Sequence, residues 1–164
     1  MIETMLAMAA ALTPLAGASE PFTTRWNMTP EQVIATMPNA VATPASPENA
    51  MRSLDALVYA DLKDGDVALH IGFHFTRDAK PGLQLVNQKV TDRNQCAAYR
   101  DLLRARYGAG QETLGTAQMK DLQVPEVDIE WKGTLKGEHL LFVGYYFPGT
   151  TEFGLCKLIR TPKG

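Results

Sequence analysis

Between residues 66 and 76 the chain reads DVALHIGFHFT, and no other stretch narrows its folding options as far. Val67, Leu69, Ile71, Phe73 and Phe75 fall on one side of an extended strand, while Asp66, Ala68, His70, Gly72, His74 and Thr76 fall on the other. Such a strand must cover its apolar side and can leave the other wet, which is the condition met by a half-buried antiparallel sheet. Asp64-Gly65 just before it is a hairpin turn signal, so Ser53 to Leu62 is expected to be its partner strand. Pro81-Gly82 makes the next turn, and LQLVNQKV (83–90) supplies a third strand.

The helical signals are as local as the strand signals. In RWNMTPEQVIATMPNA (25–40) Thr29 can cap a helix, Gln32 can reach back to it, and Pro30 suits the first helical position. Trp26 and Met28 precede the cap and are placed to pack on the stripe of Val33, Ile34 and Met37. Pro38, followed by a linker containing Pro44 and Pro47, should stop the helix after about two turns. TDRNQCAAYRDLLRARYG (91–108) is the clearest helix, with Gly108 as its stop and Cys96, Tyr99, Leu102, Leu103 and Tyr107 on its apolar face. Arg93, Arg100, Arg104 and Arg106 lie mostly off that face and read as a solvated surface.

Residues 108–125 read as a long polar loop. Beyond it VDIEW, HLLFVGYYF and FGLCKLIR are three more strands, separated by Lys136-Gly137 and Pro148-Gly149 turns. The expected fold is therefore α+β: an antiparallel sheet with two helices packed on one face, in the order α-β-β-β-α-β-β-β.

The first eighteen residues, MIETMLAMAAALTPLAGA, hold an apolar run, Pro14 and then Ala16-Gly17-Ala18. This is the order of a signal peptide, although Glu3 stands where Lys or Arg is usual. The expectation is export, with residues 1–18 removed and 19–164 forming a single domain in the periplasm or outside the cell. The charge of the chain is −2, which gives no general attraction for nucleic acid or anionic lipid. No later stretch is apolar for long enough to span a bilayer as a helix. Only Cys96 and Cys156 are present, and in an oxidising compartment the pair suggests one disulfide. Two buried free thiols are the alternative.

Candidate chemistry is sparse. His70 and His74 share a strand face but stand ~13 Å apart, too far to bind one ion without further ligands such as His139. Glu126, Asp128 and Glu130 make a row of carboxylates about 6–7 Å apart, a spacing near that of the acid and base of inverting glycosidases. An amphipathic strand with its apolar residues inward produces the same pattern. G-x-S-x-G, P-loop, dinucleotide and C-x-x-C motifs are absent from the sequence. No catalytic, cofactor or metal residues are assigned. The remaining candidates are surfaces: the aromatic run Gly144-Tyr145-Tyr146-Phe147-Pro148, with Tyr145 and Phe147 as contact residues, and the exposed edge of the sheet.

W-N-M-T-x-x-x-V (26–33) resembles the G-M-[ST]-x-x-x-V helix start of small proteobacterial envelope proteins. Examples are the outer-membrane assembly lipoproteins of the SmpA/BamE type and β-lactamase-inhibitor-like modules. Asn27 replaces the glycine, and no lipid-bearing cysteine is present. The resemblance implies a periplasmic, non-catalytic binding or envelope-maintenance module with an envelope protein as partner. The competing reading is a small periplasmic hydrolase using the carboxylate row.

Overall fold

The computed structural model describes residues 24–134 and 137–163. The expected signal peptide, its boundary at Ser19, and Lys136 of the second turn lie outside the described residues.

The first helix, α1 (Pro30–Thr36), forms for the reasons its sequence gives. Thr29 Oγ1 accepts from Gln32 N–H at 3.4 Å, and Gln32 Oε1 accepts from Thr29 N–H at 2.9 Å, so each satisfies a donor the other leaves open. Met28, Val33 and Met37 are buried, with Trp26 and Ile34 packed against the same cluster. Asn27 holds φ at 64°, the left-handed conformation that glycine takes most easily and asparagine tolerates.

Eight strands follow: β1 (Val41–Ala42), β2 (Asp55–Asp64), β3 (Val67–Phe75), β4 (Leu83–Val90), β5 (Gln111–Met119), β6 (Leu122–Thr134), β7 (Glu138–Tyr146) and β8 (Phe153–Pro162). The second helix, α2 (Cys96–Tyr107), runs between β4 and β5. All strands join one antiparallel sheet in the order β1-β2-β3-β4-β8-β7-β6-β5. Each group of four is a meander, and the two last strands, β4 and β8, pair at the centre.

This corrects the expected fold class. The described residues are β-rich: they form a single eight-stranded antiparallel sheet carrying α-helices of 7 and 12 residues, in place of an α+β protein ordered α-β-β-β-α-β-β-β. Residues 111–119 and 122–125, expected as loop, are β5 and the start of β6, joined through Lys120 at φ 51°. β5 escapes the periodicity test because it is exposed on both sides, so no apolar alternation marks it. β1 hides in the proline-rich linker because it is two residues long.

One face of the sheet is covered by the helices. The side chains of Val58, Ile71, Phe73, Phe75, Val86, Ile129, Phe142 and Leu158 meet Val33 of α1 and Tyr99 and Leu103 of α2 in one core. Gly144 belongs to this packing, because a Cβ there would run into the Phe153 ring. Each fully buried aliphatic or aromatic side chain contributes roughly 1.5–3 kcal/mol. A Cys96–Cys156 disulfide, with Cα atoms 5.8 Å apart, staples the start of α2 to β8. In the chain-entropy model, closing a loop with a sequence separation of 60 stabilises by roughly 4 kcal/mol. Tyr99, fully buried, donates its hydroxyl to Gln88 Oε1 at 2.7 Å.

Of the arginines expected as solvated surface, Arg93 just before α2 is exposed, Arg100 and Arg104 are half-buried, and Arg106 is buried. Arg106 forms a two-pronged pair with Asp64 at 2.7 and 2.8 Å, and both side chains are buried. Arg104 reaches Glu112 of β5 at 2.5 Å, Arg93 stacks on Phe147, and Arg100 approaches the Phe153 ring. Long arginine stems cover the sheet ends while their heads find carboxylates and aromatic faces, which helix periodicity alone does not reveal.

Candidate functional site

Neither α1 nor α2 lies on the other face of the sheet, and the strand registers place its residues in rows. Across one row stand Asp61, His70, Lys89, Lys157, Val143 and Asp128, on β2, β3, β4, β8, β7 and β6. The neighbouring row holds Tyr59, Gly72, Asn87, Ile159, Leu141 and Glu130. Leu85, Val143 and Ile159 form a small apolar cluster there, with Met51, Leu54 and Tyr145 packed against it.

The segment from Pro47 to Leu54 folds over the β2–β4 end of this face. A short 3-10 turn (Pro47–Asn49) is followed by a tight reversal in which Met51 and Leu54 exchange backbone hydrogen bonds at 3.0 and 2.8 Å. Arg52 and Ser53 at its tip hold φ at 49° and 64°, which non-glycine residues rarely adopt. Beneath the segment lies a cavity of about 250 Å³, lined by Met51, Tyr59, Gly72, His74, Asn87 and Lys89 among others.

His74 is the buried histidine of this cavity, 2 % exposed. Burial lowers its pKa to about 4, outweighing the opposite pull of Asp55, so the ring is neutral at pH 7. Among the described residues its Nδ1 has no hydrogen-bond partner, and neither does the buried Oδ1 of Asn87. His70 Nδ1 lies 2.6 Å from Asp61 Oδ1, and its ring stacks on Tyr59 with centroids 4.9 Å apart. His139 belongs elsewhere, 2.6 Å from Glu130. The three histidines therefore occupy separate settings, and among the described residues no three His, Cys, Asp or Glu side chains group as metal ligands.

The carboxylate row of β6 faces the same open side. Glu130 is held below the usual carboxylate range, chiefly by its hydrogen bond to Lys132, with His139 adding to the effect. Asp128 is pushed up by burial and then by Glu126 and Glu130, and its Oδ1 is buried without a partner. A carboxyl raised in this way can hold a proton, which is the property an acid catalyst needs.

Tyr145 and Phe147 are not neighbours in one patch. Tyr145 lies on the open face beside Glu126, where burial and that carboxylate raise its pKa. Phe147 sits past the irregularity at the end of β7 under the Arg93 guanidinium, 4.8 Å from ring centroid to carbon. A larger, shallow cavity of about 570 Å³ opens there between Arg93, Arg100, Tyr146, Phe147 and Glu152.

The sheet has one long bare edge. No described strand pairs with the outer side of β5, and Leu114 there is 70 % exposed. The opposite edge is partly capped by β1. Sequence reasoning missed Asn87, Lys89 and Lys157 as site residues, although alternation along LQLVNQKV already puts Asn87 and Lys89 on one side.

Comparison with protein-family models, curated proteins and solved structures gives no match.

Proposed function

We propose that this chain is a non-catalytic binding module of the periplasm or extracellular space, which takes an extended segment of an envelope protein as an added strand along β5. The nine-residue edge carries the reading. It offers a row of backbone groups that no described strand pairs with, holds neither lysine nor proline, and bears one charge, Glu112, already tied to Arg104. Natural sheets protect a free edge with lysine, proline, a bulge or a cover, and an unprotected one is a template for pairing. The partner segment that fits is uncharged and β-prone, with an apolar side chain to lie against Leu114. The helix-start resemblance at residues 26–33 and the Cys96–Cys156 disulfide support the compartment.

Photo-crosslinking in intact cells from Thr116, with and without Leu114→Lys, tests the contact. One defined heterologous product, lost in the lysine variant while the fold is kept, supports strand addition. Products formed only from Tyr145 or Phe147 would move the contact off the edge. Recovery of the mature chain from the cytoplasm with both thiols free would remove the compartment.

The raised carboxyl of Asp128 favours a second reading, a small hydrolase working through Glu126, Asp128 and Glu130. Glycoside hydrolysis that disappears in Asp128→Asn would support it, and unchanged hydrolysis would end it.

A further inference from the structure

The cavity of about 570 Å³ beside the start of α2 sets opposite charges around one space without letting them meet. Arg93 and Arg100 stand on its helix wall with the small Ala97 between them, and Glu152 stands on the wall made by the turn from β7 to β8. Among the described residues no carboxylate pairs with Arg93 and no cation pairs with Glu152. Arg100 touches Asp101 through Nε at 3.1 Å, a contact that uses neither of its terminal nitrogens. Arg93 and Glu152 are exposed and Arg100 is half-buried, so a solute can reach all three. Aromatic rings lie between the walls: Tyr146 and Phe153 stack with centroids 4.7 Å apart, and Phe147 carries the Arg93 guanidinium 4.8 Å from its ring centre. The Cys96–Cys156 disulfide ties the walls together, three residues beyond Arg93 on one side and three beyond Phe153 on the other.

We infer that this cavity binds a free amino acid with an acidic side chain, its two carboxylates taken by Arg93 and Arg100 and its ammonium by Glu152. Two guanidinium groups and one carboxylate call for the complementary set, two carboxylates and one ammonium, which glutamate and aspartate carry. A guanidinium holds a carboxylate through parallel N–H···O bonds, a geometry that a simple halide or a lone ammonium cannot satisfy. Opposite charges that line one space and remain apart leave room for a molecule that bridges them, and aromatic rings nearby add attraction for its ammonium. The volume falls within the roughly 300–1,000 Å³ of small-molecule sites. Each exposed ion pair contributes little alone, so affinity comes from meeting all three charges at once. The site uses no residue of β5 and stands or falls independently of strand addition.

The test follows the backbone amide signals of Ala97 and Glu152 by NMR while the full protein is titrated with glutamate and aspartate. Glutarate and N-acetylglutamate, which keep both carboxylates and lack the ammonium, and alanine, which lacks the second carboxylate, serve as controls. Saturable shifts with glutamate or aspartate, roughly tenfold tighter than with any control, are expected. Arg93→Gln and Arg100→Gln should each weaken that binding roughly fivefold. Glu152→Gln should bring glutamate down to the level of glutarate. All three changes fall where solvent reaches the side chain, so the variants should keep the fold. Signals unmoved by both amino acids, glutarate or N-acetylglutamate bound as tightly as glutamate, or an affinity unchanged by Arg93→Gln and Arg100→Gln would overturn the inference.

Discussion

Both sides of the sheet hold buried polar atoms without a hydrogen-bond partner among the described residues: Trp26 Nε1 and Arg104 Nε on the helix side, His74 Nδ1 and Asp128 Oδ1 on the other. The two sides nevertheless match their buried ionisable groups differently. Asp64, Gln88, Glu138 and Arg160 are buried on the helix side, and each has its partner: Arg106 for Asp64, Tyr99 for Gln88, and Glu138 with Arg160 for each other. On the open side His74 is buried with a bare Nδ1, Asp128 is pushed toward its neutral form, and Lys89 faces Lys157. Burial of unpaired or crowded charge lowers stability, so groups held in that state mark where a fold serves something other than its own persistence. The helix-covered face holds the molecule together. In the proposed reading, the β5 edge, which no described strand covers, is where it meets a partner.

The contrast breaks most visibly on the covered face. Replacing Cys96 and Cys156 together by alanine should cost roughly 4 kcal/mol in denaturant unfolding, since the disulfide closes the loop that joins α2 to β8. A loss below about 1 kcal/mol would show that core packing, rather than the staple, fixes α2.

His74 gives the next largest effect. Its folded pKa of about 4 lies below the unfolded value near 6.5, so between these values the unfolded state binds more protons. Its contribution is complete above about pH 6.5 and is lost as pH falls toward 4, amounting to about 3 kcal/mol. His74→Gln should flatten that part of the stability–pH curve, and an unchanged slope would locate the acid sensitivity elsewhere.

Asp128 sharpens the comparison with a small effect of opposite sign. Because its folded pKa is raised, its contribution to stability is present when it is protonated and lost as pH rises through that value. Asp128→Asn should therefore raise Tm at pH 7 by about 2 °C and leave Tm at pH 3 unchanged. A lowered Tm at pH 7 would mean that the carboxylate is favourably placed, and the open face would lose one of its three strained groups.

Local signals were legible wherever one side of an element is apolar. The alternation in DVALHIGFHFT, the turn at Gly65, the Thr29–Gln32 cap and the Gly108 stop all stand where the residues put them, whereas the reversal expected at Pro81-Gly82 bends earlier, at residues 77–80. The pairing of Cys96 with Cys156 was one of two readings, and the structure closes it as a bond. β5 was illegible because a strand held by one neighbour and wet on both faces has no periodicity to display. The contacts of Arg106, Arg104 and Arg93 were illegible because their partners Asp64, Glu112 and Phe147 lie on three separate strands or loops.

By itself, then, the sequence determined the strands with a dry side, the capped start of α1 and the Gly108 stop of α2, because period, turn chemistry and capping act between residues close along the chain. Tertiary structure alone decided that β4 meets β8, and with it that Lys89 faces Lys157, that Pro47–Leu54 covers His74, and that no described strand covers the outer side of β5. Those outcomes depend on which of several similar strand edges find each other, and that choice is made by burial of the common core beneath α1 and α2 rather than by any residue's neighbours in sequence.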